Sequence, residues 1–334
     1  MNKTSWELGP VRKVFSRIGL AMCAILLIAT ALQILLVAIP TVIWGEDTWL
    51  HTSSWGMWLS TFAPIYMVAI PIGLLILRKL PAQAPQSHKL GAKAFAQLLP
   101  ICICVMYAGN LLGTVLSLLL SGGTAENTVA NYALDNHPLK ILVMVILAPL
   151  LEEYVCRKQI IDRTSRFGEK TAVFLSALVF ALLHGNLFQF FYAFGLGLIF
   201  AYIYTRTGRL RYPVLLHSFI NLLGSVIAPW LLSNIDLEAI EAIEKMEATV
   251  TEAELMELLT PVLPGFMMFM LYAVLMVGFA IWGLVLLIIK SKRLTWEEAQ
   301  AQLPKGTAIK TVYLNVGMVL YILLCLVSTV LSLI

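Results

Sequence analysis

Several stretches of this chain stay apolar for longer than the roughly 18 to 20 residues that a helix, rising 1.5 Å per residue, needs to cross about 30 Å of hydrocarbon. No other feature limits the fold as strongly. A backbone in lipid finds no water to bond, so only helices and closed barrels span a bilayer, and these runs lack the alternation of barrel strands. The expected fold is all-α: a polytopic transmembrane helical bundle with nine spans near residues 18–43, 56–77, 95–120, 139–165, 170–185, 187–205, 212–232, 262–289 and 312–334. The weakest boundary is the fifth with the sixth, which only His184, Gly185 and Asn186 separate. A turn there lies in or near the membrane and needs protein around it.

Composition agrees, with 60% hydrophobic and 13% charged residues. Lysine and arginine resist translocation, so their distribution over alternate loops predicts orientation. One side of the nine spans collects 21 of the 23 basic residues, leaving Lys140 and Lys245 opposite. This predicts a cytoplasmic amino terminus and a carboxyl terminus outside. The net charge of +4 then marks cytoplasmic margins; it forms no basic stripe for nucleic acid. The first span is too long for a signal-peptide core and lacks a small-residue cleavage pattern, so it reads as an anchor. The five cysteines fall in apolar segments without C-x-x-C spacing and read as buried packing residues.

Along the chain we expect amino-terminal membrane helices over 1–138, a four-helix core over 139–232, an acidic extracytoplasmic segment over 233–261 and carboxy-terminal membrane helices over 262–334. In the acidic segment Leu237, Ile240, Ile243 and Met246 recur every third residue among eight acids, a spacing for amphipathic helices outside the bilayer. Thr295 followed by Trp296, Glu297 and Glu298 predicts a short capped helix at the cytoplasmic surface.

Ionisable groups in the middle of a span are costly, which makes each a functional candidate. They are Glu152, Glu153, His184 and His217, with Asn221 as an uncharged companion. Glu152 lies 14 residues before Arg166, and His184 lies 14 after Lys170. Both are therefore about 21 Å along their helices from the basic margin. Glu153 and Arg157 are four apart on one helix face in the favourable order for an ion pair, while Glu152 points about 100° away. One carboxylate can be pinned while its neighbour stays free. His217 and Asn221, also four apart, present an imidazole and an amide to one cavity. A carboxylate, two imidazoles and an amide contain what peptide hydrolysis requires, a base for water and donors for an oxyanion. Glu152, His184 and His217 equally suffice in number to hold a catalytic zinc ion, although the H-E-x-x-H motif is absent. A non-catalytic scaffold that uses these groups to join helices is the alternative reading. A proton-coupled transporter is disfavoured, because no repeat with matched broken helices is seen.

Three motifs carry a resemblance. Glu152-Glu153-Tyr154-Val155-Cys156-Arg157 matches E-E-x-x-x-R, Phe180-Ala181-Leu182-Leu183-His184 matches F-x-x-x-H, and His217-Ser218-Phe219-Ile220-Asn221 matches H-x-x-x-N. In these residues the chain resembles the CPBP family of intramembrane proteases, which includes CAAX prenyl endopeptidases and the bacterial Abi proteins. The resemblance implies an intramembrane endopeptidase of the CAAX-protease or bacteriocin self-immunity type in a bacterial cell membrane. Its partners would be the lipid bilayer and a peptide or membrane-protein substrate. It further implies that Glu152 is the general base on water held with His184, that His217 and Asn221 stabilise the oxyanion, and that Glu153 and Arg157 support the site. The family is often labelled metalloprotease and a metal-free glutamate mechanism is also proposed for it, so the metal question stays open at this point. On this reading the site lies in a cavity open to the cytoplasm, which admits water.

Overall fold

The computed structural model describes residues 8–45, 47–236, 239–241 and 251–334. Among them every regular element is helical, as the apolar runs predict. Helix α1 is Leu8–Trp44, α2 Ser54–Leu77 and α3 Ala92–Leu120. A short helix α4, Thr128–Leu134, follows. Next come α5, residues 141–164, and α6, Glu169–Leu183. Helices α7, Leu187–Thr207, and α8, Arg211–Leu232, complete the core. The last two are α9, Glu252–Ser291, and α10, Val316–Leu331.

Six of these, α1, α2, α3, α7, α8 and the Leu259–Ser291 part of α9, are long and apolar enough to cross a membrane. The other three proposed spans are helical but fall short. Helix α5 carries the charged site residues, and α6 and α10 have 15 and 16 residues, a rise of about 22 to 24 Å. Hydropathy falls where a span carries chemistry. Large apolar side chains such as Ile34, Leu111, Met267 and Val327 stay more than half exposed across the outer helices, as lipid contact requires.

Helix α9 runs unbroken from Glu252 through Pro261 and Pro264 to Ser291, so the end of the acidic segment and the span that begins at Leu259 share one helix. Leu237, Glu238, Ile243, Glu244, Met246 and Glu247 lie outside the described residues. The predicted capped helix after Thr295 is instead an irregular strap across the basic end of the bundle. Its backbone bonds are taken by tertiary partners. Glu297 N donates to Glu169 Oε2 at 2.6 Å, Ala301 N to Arg166 O at 2.9 Å and Leu303 N to Phe167 O at 3.0 Å. Arg206 secures the strap by binding Glu169, Glu297 and the Thr295 carbonyl.

Close helix packing rests on small residues, as is usual in bilayers where burial of apolar surface gives no drive for association. Gly19 of α1 and Gly317 of α10 face each other so closely that a Cβ on either would strike the other helix's backbone. The Gly317 amide donates to Ser16 Oγ at 3.0 Å across that junction. The core that supports the site lies between α1, α5, α6 and α10, around Phe15, Ile18, Cys156, Ile160 and Tyr321.

Candidate active site

Proline shapes the helices that carry the site. Three π-helical segments, Pro64–Ala69, Ile141–Leu147 and Leu223–Ile227, each end two residues before a proline, Pro71, Pro149 and Pro229. A proline ring crowds the carbonyl four residues back. Widening the preceding turn to five-residue bonds relieves the crowding, and such bulges gather at functional sites. At the start of α5 the Ala148 amide bonds the Val143 carbonyl, five residues earlier. In that register the Met144 carbonyl would take the amide proton of residue 149, which proline lacks. Asn221 of α8 supplies the donor instead, with Nδ2 2.8 Å from Met144 O.

A second π segment, Tyr154–Gln159, frees the Cys156 carbonyl, which accepts from Ser176 Oγ of α6 at 2.7 Å. The same hydroxyl accepts from Arg157 Nη1 at 3.0 Å. Arg157 also grips Glu153, with Nε 2.8 Å from Oε2 and Nη2 3.1 Å from Oε1. Both side chains are 0% exposed. A buried charge pair is tolerable only when its remaining donors and lone pairs are used; here Ser176 takes the third Arg157 donor and His217 uses a further lone pair of Glu153 Oε1.

That last bond runs from His217 Nδ1 to Glu153 Oε1 at 3.1 Å. A carboxylate gripped by arginine only accepts, so Nδ1 carries the proton, and Nε2 is a lone pair in the neutral ring or a second donor in the imidazolium. His184, the residue that ends α6, places Nδ1 2.8 Å from the Phe180 carbonyl. Nδ1 is again the protonated nitrogen and Nε2 the acceptor. Both rings lean on Phe180, edge-on at 5.0 and 5.5 Å between centroids, while Phe200 stacks on His217 at 5.7 Å. The Arg157 guanidinium lies 4.6 Å from the Phe180 ring centre. One aromatic ring thus packs against the Arg157 guanidinium and both imidazoles.

Glu152 is the carboxylate that Arg157 does not hold; its side-chain partner is the Tyr66 hydroxyl. Its side chain keeps 18% exposure against 0% for Glu153, and its Oε2 stands 3.9 Å from His217 Nε2. Glu152, His184, His217 and Asn221 line one cavity of about 180 Å³. A second hollow of about 110 Å³, walled by aliphatic residues of α1 and α2, reaches Glu152 and His184 from the side. The structure therefore brings the four residues named from sequence to one pocket, with Glu153 and Arg157 immediately beneath it.

The turn after α6 is half-buried and braced by its neighbours. Gly185 takes φ +63°, which suits glycine. Asn186 caps α7 by accepting from Gln189 N at 2.9 Å and donates to the His184 carbonyl at 2.9 Å. Ser328 of α10 covers the turn, its hydroxyl 3.4 Å from Gly185 O.

No group of three or more histidine, cysteine, aspartate or glutamate side chains among the described residues is arranged to hold a metal ion. Glu152, His184 and His217 do not form such a set, so no step below runs through zinc. Tyr66, Gln189 and Tyr192 also line the cavity but were not named from sequence. Neutral amphipathic side chains are ordinary in membrane helices, so only their neighbours reveal them. Ser176 was missed for the same reason.

Residues 135–223 match a family model described as Type II CAAX prenyl endopeptidase Rce1-like. A putative membrane peptidase of Bacillus subtilis, YdiL, is 27% identical over 187 residues, covering 53% of this chain and 72% of that protein. The membrane-embedded CAAX protease MroQ of Staphylococcus aureus is 39% identical over 92 residues, covering 25% of this chain and 37% of that protein. No solved structure matched the chain. Each of the three motifs falls within 135–223, and the resemblance drawn from them is borne out. Over this segment, set in a bundle of membrane-spanning helices, the chain is similar to the Rce1-like CAAX prenyl endopeptidases and to membrane peptidases of two bacteria.

Proposed function

We propose that this protein is an intramembrane endopeptidase that hydrolyses a peptide bond with a water activated by Glu152. The observation that carries the reading is the division of labour between adjacent carboxylates: Glu153 is consumed by Arg157 and His217, and Glu152 faces the cavity 3.9 Å from His217 Nε2. Water sits between Glu152 and the acceptor Nε2 of His184. Glu152 takes its proton as the hydroxide oxygen bonds the peptide carbon. Negative charge develops on the carbonyl oxygen, where the second Asn221 Nδ2 proton, unused by Met144, and His217 Nε2–H receive it. Because Nδ1 of His217 is committed to Glu153, an Nε2 proton means an imidazolium. Two carboxylates around it, with Arg157 opposite, keep the cluster neutral in sum. The intermediate collapses as the C–N bond breaks and Glu152 returns its proton to the leaving amine.

The charge distribution supports a cytoplasmic amino terminus and an outward carboxyl terminus. The substrate is a peptide or membrane protein, and the activity is of the CAAX-protease or self-immunity type. The test is Glu152→Gln in purified protein. Glutamine keeps the shape but cannot accept the water proton, so turnover should fall by about 10² to 10⁴ while the melting temperature holds. Equal turnover removes the proposed base. A loss of melting temperature in parallel with activity favours the scaffold reading instead.

A further inference from the structure

We infer that the cavity is entered from the face of the bundle opposite the basic loops, beneath the segment 128–138, so that the substrate is a polypeptide presented on that face. The inference rests on the peptidase reading and reverses the cytoplasmic opening expected from sequence. On three of the five membrane helices that line the cavity, α5, α6 and α7, the lining residues keep to the half away from the basic end, and on α2 Phe62 lies in that half and Tyr66 at the middle. On α8 they begin at His217, six residues from Arg211, and climb to Ser225. Gln189 is 18 residues from Thr207 and Ser225 is 14 from Arg211, placing the rim about 21 to 27 Å from the basic margin by helical rise.

Below His217 the way is shut. Glu153, Arg157, Ile160, Ile161, Ala201 and Tyr204 are all 0% exposed. Tyr204 seals the layer by donating its hydroxyl proton to Asp162 Oδ1 at 2.8 Å. Above, the cavity meets Tyr132 of α4, part of a cover docked on the start of α2 by a few bonds. Asp135 Oδ2 accepts from Trp58 Nε1 at 2.8 Å and from Ser54 Oγ at 3.0 Å, and the Tyr132 and Thr61 hydroxyls meet at 2.8 Å. His137 stacks on Trp58, centroids 5.1 Å apart. Its Nδ1 accepts from Leu139 N at 3.2 Å, which leaves the proton on Nε2, buried without an acceptor. An unsatisfied buried donor opposes closure. The cover is joined to α2 by three hydrogen bonds and aromatic contacts of Trp55, Trp58 and Phe62, with one buried donor unsatisfied, whereas the floor is a packed ionic layer.

Thiol reporters test this without reference to turnover. Ser225→Cys and Gln189→Cys put thiols in the cavity and Ala84→Cys puts one in an exposed basic-side loop; the native cysteines, all buried or half-buried, set the background. With an impermeant maleimide on intact cells, the cavity thiols should label and Ala84→Cys only after permeabilisation. Adding Asp135→Ala should raise the cavity labelling rate severalfold. Cavity thiols that label together with Ala84→Cys from one side, or that stay unreactive from both sides even with Asp135→Ala, overturn the inference. Retained turnover in Glu152→Gln would defeat the hydrolysis reading and leave these labelling results unmoved.

Discussion

Replacing Arg157 by methionine removes the cation from a fully enclosed pair and leaves Glu153 with His217 alone. Lost at once are the bonds at 2.8 and 3.1 Å to Glu153, the bond at 3.0 Å to Ser176 Oγ and the guanidinium on the Phe180 ring. Stranding one member of a buried pair costs about 3 to 5 kcal/mol. At this chain length that corresponds to a fall in melting temperature on the order of 5 to 15 °C. Glu153→Met should cost a similar amount, because it strands the arginine. The double variant is the informative one. With both charges gone, two flexible apolar side chains fill the space beside Phe180 and Phe200, and a buried pair exchanged for packed apolar residues is near neutral or better. We therefore expect the double variant to recover most of the lost stability, giving a coupling energy of at least about 3 kcal/mol. Turnover should not recover, since His217 Nδ1 has lost the carboxylate that fixes its tautomer and supports its positive charge. Unfolding in detergent and peptide cleavage, measured on the same four proteins, decide the matter. Additive single losses, or a double variant that regains activity along with stability, would refute the argued role of Glu153 as the anchor of His217.

Asn221→Ala should lower turnover about 10² to 10³ fold by removing an oxyanion donor; leaving Met144 O unbonded should also cost about 1 to 3 kcal/mol in denaturant unfolding. Pro149→Ala restores an amide proton that competes with Asn221 for the Met144 carbonyl and relaxes the pressure for the wide turn, so cleavage should drop with little loss of stability; unchanged kinetics would separate the bulge from function. Ser176→Ala takes a hydroxyl from both Cys156 O and Arg157 and should destabilise by about 1 to 2 kcal/mol, read as a lowered unfolding midpoint. Gly317→Leu forces side-chain atoms into the backbone of α1 and should reduce folded yield in membranes, whereas Gly278→Leu, on open surface, should not.

The site was legible before any coordinates because the bilayer makes polar groups expensive. Glu152, Glu153, His184, His217 and Asn221 stand out in apolar runs that admit few such residues. The four-residue spacing of Glu153 and Arg157 announces their pair, since a helix sets i and i+4 on one face. The same rule let Glu152 be read as the free partner. What helical periodicity could not supply is the relation between helices: that Ser176 bridges α5 to α6, that Phe180 packs against Arg157 and both imidazoles, or that Asn221 answers a carbonyl released by Pro149. The strap after Thr295 was misread for a related reason, as its local capping pattern was outbid by Glu169 and Arg206 from elsewhere in the chain. The length of apolar runs and the placement of lysine and arginine thus determined, from sequence alone, a helical membrane protein and the short set of polar residues within it. Which nitrogen of each histidine is committed, and which groups buttress the carboxylates, were decided by the tertiary structure, because each depends on atoms that meet only when α5, α6, α7 and α8 pack together.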